Sequence, residues 1–140
     1  MSKTSHKLPI NEFEALTKVQ LHELADNLLI EEPAAIEKCV EFIAAETEGL
    51  WHGRARAMMC RRLKHCPLSE LQRDLLVVRI TERLAAGHFA EQFRDQLRLA
   101  MHLDPSHTFK IARGCVTNSK PHVRRYAEWV LSHESSAIHA

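Results

Sequence analysis

Arginine is the residue type whose chemistry and spacing point furthest in this chain. Arg54, Arg56, Arg61 and Arg62 share one short stretch, Arg94 and Arg98 stand four residues apart, and Arg124 and Arg125 are adjacent. A guanidinium fork matches carboxylate and phosphate equally well. These eight side chains are therefore the candidate binding residues, for the acidic surface of a partner protein or for a nucleic-acid backbone. The same residues have structural uses. Arg56 and Arg124 can brace neighbouring helices, and Arg61 and Arg62 can pair with an acidic N-terminal helix.

Other reactive side chains form no comparable pattern. Ten histidines and four cysteines are present, and His65-Cys66 with Cys60, or His102 with His107, offer metal-ligand chemistry. Neither CxxC nor HxxxH spacing occurs, so no metal site and no cofactor are expected. Cys60 beside Arg61 is better read as a buried thiol than as an activated nucleophile. Asp74 and Glu82 share a helix with Arg73, Arg79 and Arg83, where surface ion pairs are ordinary and usually inert. GxSxG, P-loop, HExxH and GxGxxG motifs are all missing. No catalytic residue is assigned, and an enzyme is not expected.

Composition bounds the protein class. The chain has 140 residues, 45% of them hydrophobic and 26% charged, with four glycines and five prolines. That length supports a core without staples, and so few turn-formers do not suit an all-β fold. The polar opening Met1–Lys7 leads into no apolar run, and no stretch approaches the roughly 20 residues a membrane span needs. A cytoplasmic protein with reduced cysteines and no membrane association is expected. The net charge of +1 conceals an asymmetry. Residues 1–50 hold four Lys/Arg against ten Asp/Glu, and residues 51–140 hold fifteen against eight. Such a split marks either a surface for an anionic partner or two ends that neutralise each other.

The elements that must position the arginines are helices. Pro33 opens the first clear one, with Ile36, Val40 and Ile43 at helical spacing, and Gly49 is its expected end. The next spans about 50–65 and stops at Cys66-Pro67. Ser69, with Gln72 three residues on, makes a capping box for a third. Its Leu71, Leu75, Leu76, Val78, Ile80 and Leu84 predict a deeply buried helix ending at Gly87. A fourth carries Phe89, Phe93, Leu97, Ala100 and Met101. Asp104-Pro105 caps and opens the fifth, in which Gly114 serves close packing or marks fraying. Thr117–Pro121 is a turn, and the sixth helix follows with Val123, Tyr126, Ala127, Val130 and Leu131 inward. Residues 10–30 also read as helical. The expected organisation is a disordered or extended segment 1–9, one all-helical domain over 10–133, and a flexible tail 134–140.

Pairing the six helices gives hairpins at about 33–66, 67–103 and 104–133. Their second helices share a pattern: Val123-Arg124 followed by Ala127 and Leu131, Phe93-Arg94 followed by Leu97, and Ala55-Arg56 followed by Met59 and Leu63. The last hairpin resembles a HEAT repeat, a helix–turn–helix unit whose second helix often begins with Val-Arg followed by Ala and Leu. Turns of that family often carry aspartate, where this chain has Asn118. The resemblance implies an all-α fold of three stacked antiparallel hairpins plus an N-terminal helix, a short solenoid; an irregular helical bundle is the alternative. It also implies a surface lined by the second helices, where the arginines converge. Trp51 and Trp129 read equally well as core residues or interface anchors. The function that follows is a non-enzymatic interaction module for a partner protein, with nucleic-acid binding through the same arginines as the alternative.

Overall fold

A computed structural model describes residues 13–89 and 92–134. The expectations for segment 1–9, for residues 10–12 and for the tail from 135 onward lie outside the described residues. Among the described residues the chain is all-helical, with seven α-helices and no strand. They are α1 (Lys18–Asn27, continued by a 3-10 turn Leu28–Ile30), α2 (Pro33–Ala45), α3 (His52–Leu63), α4 (Glu70–Ala86), α5 (Phe93–Leu103), α6 (Pro105–Cys115) and α7 (Pro121–Leu131). None of them is long and apolar enough to cross a membrane. The chain divides into two compact units, residues 1–72 and 73–140.

Local chemistry explains most boundaries. Thr17 and Gln20 cap α1 reciprocally, and Ser69 and Gln72 do the same at the start of α4. Each pair satisfies two otherwise orphaned backbone N–H groups. Pro33, Pro105 and Pro121 are first helical residues, where a missing N–H costs nothing. Asp104 accepts from the His107 N–H at 3.0 Å. Gly87 adopts φ +74° and closes α4, its N–H and that of His88 both donating to the Arg83 carbonyl. A side chain there would also strike Lys120 and Val123.

In the first unit, Leu21, Ala25, Ile36, Cys39, Phe42, Ile43, Met59 and Leu63 make the core. Helix α2 ends at Ala45, four residues before Gly49, because Glu46 takes the left-handed conformation (φ 56°). The chain is diverted by the start of α3. Thr47 is buried and receives hydrogen bonds from Arg56, and its hydroxyl meets His52 Nδ1. Gly49 has a different task from the one its sequence position suggested. An added Cβ would lie 2.6 Å from His52 Nε2, so the imidazole requires the missing side chain.

In the second unit, α4 buries Leu76, Val77, Ile80, Thr81, Arg83 and Leu84. Leu71 and Val78, expected inside, are 82% and 44% exposed, since they project on the outer side of that helix. Arg73 donates to the Leu103 carbonyl at 3.0 Å and Arg83 to Gln96 Oε1 at 2.8 Å, so α4 and α5 run antiparallel. Phe89 lies outside the helix expected to contain it. Gln92 (φ 69°) precedes α5, and Phe89 stacks on Phe93 at 4.2 Å while meeting Tyr126 and His122 edge-on. Gly114 is exposed with nothing within 4 Å of an added Cβ, so packing makes no demand on it.

Candidate functional site

The eight arginines fall into separate roles. Arg56 is only 3% exposed; it holds Thr47 and lies 5.4 Å from the Phe42 ring centroid. Arg62 reaches from α3 to α1, donating to the Ala25 carbonyl at 2.7 Å and pairing with Asp26 at 3.2 Å. Arg124 donates to the Asn118 carbonyl at 2.7 Å, while the Asn118 side chain receives the Lys120 N–H. These three brace turns and helix pairs. Arg54, Arg61, Arg94, Arg98 and Arg125 are exposed, and three of the five stand beside a tryptophan.

Both tryptophans carry two cations. In the first unit, Lys18 Nζ lies 4.1 Å and Arg54 Cζ 5.4 Å from the Trp51 centroid. In the second, Arg94 and Arg98 Cζ lie 5.1 and 5.2 Å from the Trp129 centroid. Such contacts contribute about 0.5–1 kcal/mol each at exposed sites. Arg98 also approaches Asp95 at 3.4 Å. Neither Lys18 nor Arg54 meets a carboxylate among the described residues.

Trp51 stands at the mouth of a cavity of about 240 Å³ between α1 and α3. Leu21, Ala25, Ala55 and Met58 form its apolar floor; Lys18, His22 and Arg54 complete the rim. The position of Trp51 follows from its neighbours. His52 is fully buried, with Nε2–H donating to the Leu16 carbonyl at 3.0 Å, Nδ1 facing Thr47, and its ring 5.1 Å from that of Phe42. That anchoring turns the preceding residue outward. Trp51 has φ 70°, a left-handed conformation that costs a side-chain-bearing residue roughly 1–2 kcal/mol, and remains 39% exposed. The first turn of α3 carries no acidic residue and no side-chain cap, so its partial positive charge adds to the rim.

Three cysteine thiols are held against ionisation. Burial pushes the Cys39 thiol up to about 12, with Cys66 adding to the effect. Burial also raises Cys66 and Cys115, against the needs of a thiolate nucleophile. Cys60 is fully buried. No three His, Cys, Asp or Glu side chains among the described residues are placed to share a metal ion.

Sequence reasoning named Arg54 and Trp51 but missed Lys18, His22 and the cavity. Lys18 and His22 lie 29 to 36 positions before Trp51 and Arg54, and no local signal joins them. Compared with known protein families, with curated proteins and with solved structures, the chain matches none.

Proposed function

We propose that this protein is a non-enzymatic interaction module that binds an acidic segment of a partner protein through the second helices of its hairpins. In this reading α2–α3, α4–α5 and α6–α7 are HEAT-like units, and α3 supplies the main docking residues. One observation carries it: among the described residues, Lys18 and Arg54 attend a half-exposed indole and meet no carboxylate, at the rim of an apolar cavity. Cations held this way are already positioned for an incoming carboxylate, so less ordering cost attaches to binding.

Nucleic-acid binding is the second reading, because an aromatic platform beside cations also suits a stacked base and its phosphate. Charge weighs against it. The unit that contains the cavity holds nine Lys/Arg against eleven Asp/Glu. That balance opposes any anion at long range, but a backbone of many phosphates needs a broad positive field, whereas a short acidic segment needs only the two cations at the rim. Fluorescence anisotropy with labelled duplex DNA, single-stranded RNA and a Glu-rich peptide, at about 50 and about 200 mM salt, separates the readings. The module reading expects peptide binding and only weak, sequence-blind oligonucleotide binding. Oligonucleotide binding in the micromolar range or tighter, falling steeply with salt as counterion release requires, would reverse the assignment.

A further inference from the structure

We infer that the cavity beside Trp51 receives one large apolar side chain of the partner, held between carboxylates that reach the rim cations. The inference rests on the module reading and names the occupant of its site.

Size comes first. A dry apolar cavity of about 150 Å³ suffices for benzene, and sites for drug-sized ligands run about 300–1,000 Å³. At about 240 Å³ this one takes a single phenylalanine-, leucine- or tryptophan-sized group. Its floor offers such a group Leu21 and Met58 with no charge to desolvate. Thioether flexibility lets Met58 adjust to more than one anchor shape.

Charge then selects what flanks the anchor. Lys18 enters from α1 and Arg54 from α3, so cations approach from two helices that meet at the same indole. An anchor with carboxylates on either side satisfies both; an anchor with basic neighbours meets repulsion. The backbone supports the same assignment. Positive φ also occurs at Glu31, Glu46 and Gln92 beside helix ends, but a bulky aromatic is a stronger outlier there, and such an outlier motivates a functional reading where a cavity adjoins it.

The test is selection of 12-residue peptides from a randomised displayed library on the full chain, with affinities of the winners measured afterwards. Enriched peptides are expected to carry one Phe, Leu or Trp with Asp or Glu on both sides. In a Trp129→Phe background, Trp51 is the sole indole, and its emission should shift to shorter wavelength on binding. Trp51→Ala and Trp51→Gly should each weaken binding at least tenfold, as loss of a central aromatic anchor does, and Arg54→Gln about threefold to tenfold. The glycine variant relieves the backbone, so loss of binding there is not loss of fold. Acidic peptides that bind but ignore both Trp51 variants would overturn this inference and leave the module reading standing. Winners without carboxylates would overturn the choice of occupant. No peptide binding at all would remove both.

Discussion

Two tryptophans, each beside two cations, do different things in the two units. Trp51 sits between helices, in a left-handed conformation, 39% exposed, with its cations drawn from α1 and α3. Trp129 sits inside α7 in regular geometry, half-buried, with both arginines drawn from α5. His133 closes over it edge-on at 4.6 Å. Cation and ring in the second unit join helix to helix, as Phe93 and Tyr126 also do at 5.9 Å. In the first unit they leave a cavity open beside them. A Trp–Arg contact therefore does not identify a site by itself. What separates the candidate site from the brace is backbone strain, the origin of the cations, and the space left over.

The contrast predicts opposite consequences for adjacent residues. His52 is the buried peg that turns Trp51 outward, so His52→Ala should cost about 3 kcal/mol, combining a cavity with unpaired groups at Thr47 and Leu16. Urea unfolding with an unchanged slope measures it. Next in size, Trp129→Ala should cost about 2 kcal/mol as a half-buried aromatic truncation. Trp51→Ala should cost less than about 1 kcal/mol, as surface substitutions usually do. Equal losses for the two tryptophans would erase the distinction between site and brace.

Glycine at the strained position sharpens the point. If Trp51 is kept for binding, Trp51→Gly should be more stable than Trp51→Ala by about 1 kcal/mol, because only glycine accepts φ 70° without penalty. Thermal melts of the pair are sufficient. Alanine matching or exceeding glycine would mean that the backbone has relaxed and that its strain reports no function.

The helical frame was readable because its signals are local. Pro33, Ser69 with Gln72, Gly87, Asp104-Pro105 and Pro121 act within a turn of where they stand, and each acts as its chemistry dictates. The misplaced helix boundaries share a cause. Glu31, Glu46, Trp51 and Gln92 adopt positive φ without being glycine, so the chain turns where residue type gives no warning. Packing imposed the turn in the case that matters most, since Arg56 and His52 recruit Thr47 and end α2 before Gly49. The arginines illustrate the same limit. Periodicity grouped eight of them, but burial and partners, which depend on distant residues, separate Arg56, Arg62 and Arg124 from the exposed five. The cavity has no sequence signature, since its walls are Lys18 to Ala25 and Trp51 to Met58, with intervening residues committed to other packing.

The smallest effects concern the cations, and double-mutant cycles resolve them. Pairing Lys18→Met with Trp51→Ala, and Arg98→Met with Trp129→Ala, isolates each contact from the side chains' other roles. The Trp129 pair should couple by about 0.5–1 kcal/mol, since its half-buried ring limits competition from water. Lys18 and Trp51 should couple by about 0.5 kcal/mol in the free protein, the low end of the range for exposed contacts, an exposed ammonium being well hydrated. With an acidic peptide bound, the Lys18–Trp51 coupling in binding free energy should grow, because carboxylate and anchor exclude water from the same rim. Coupling unchanged by peptide would mean that Lys18 is a solvated lysine resting on a ring, and that the attraction resides in Arg54 alone.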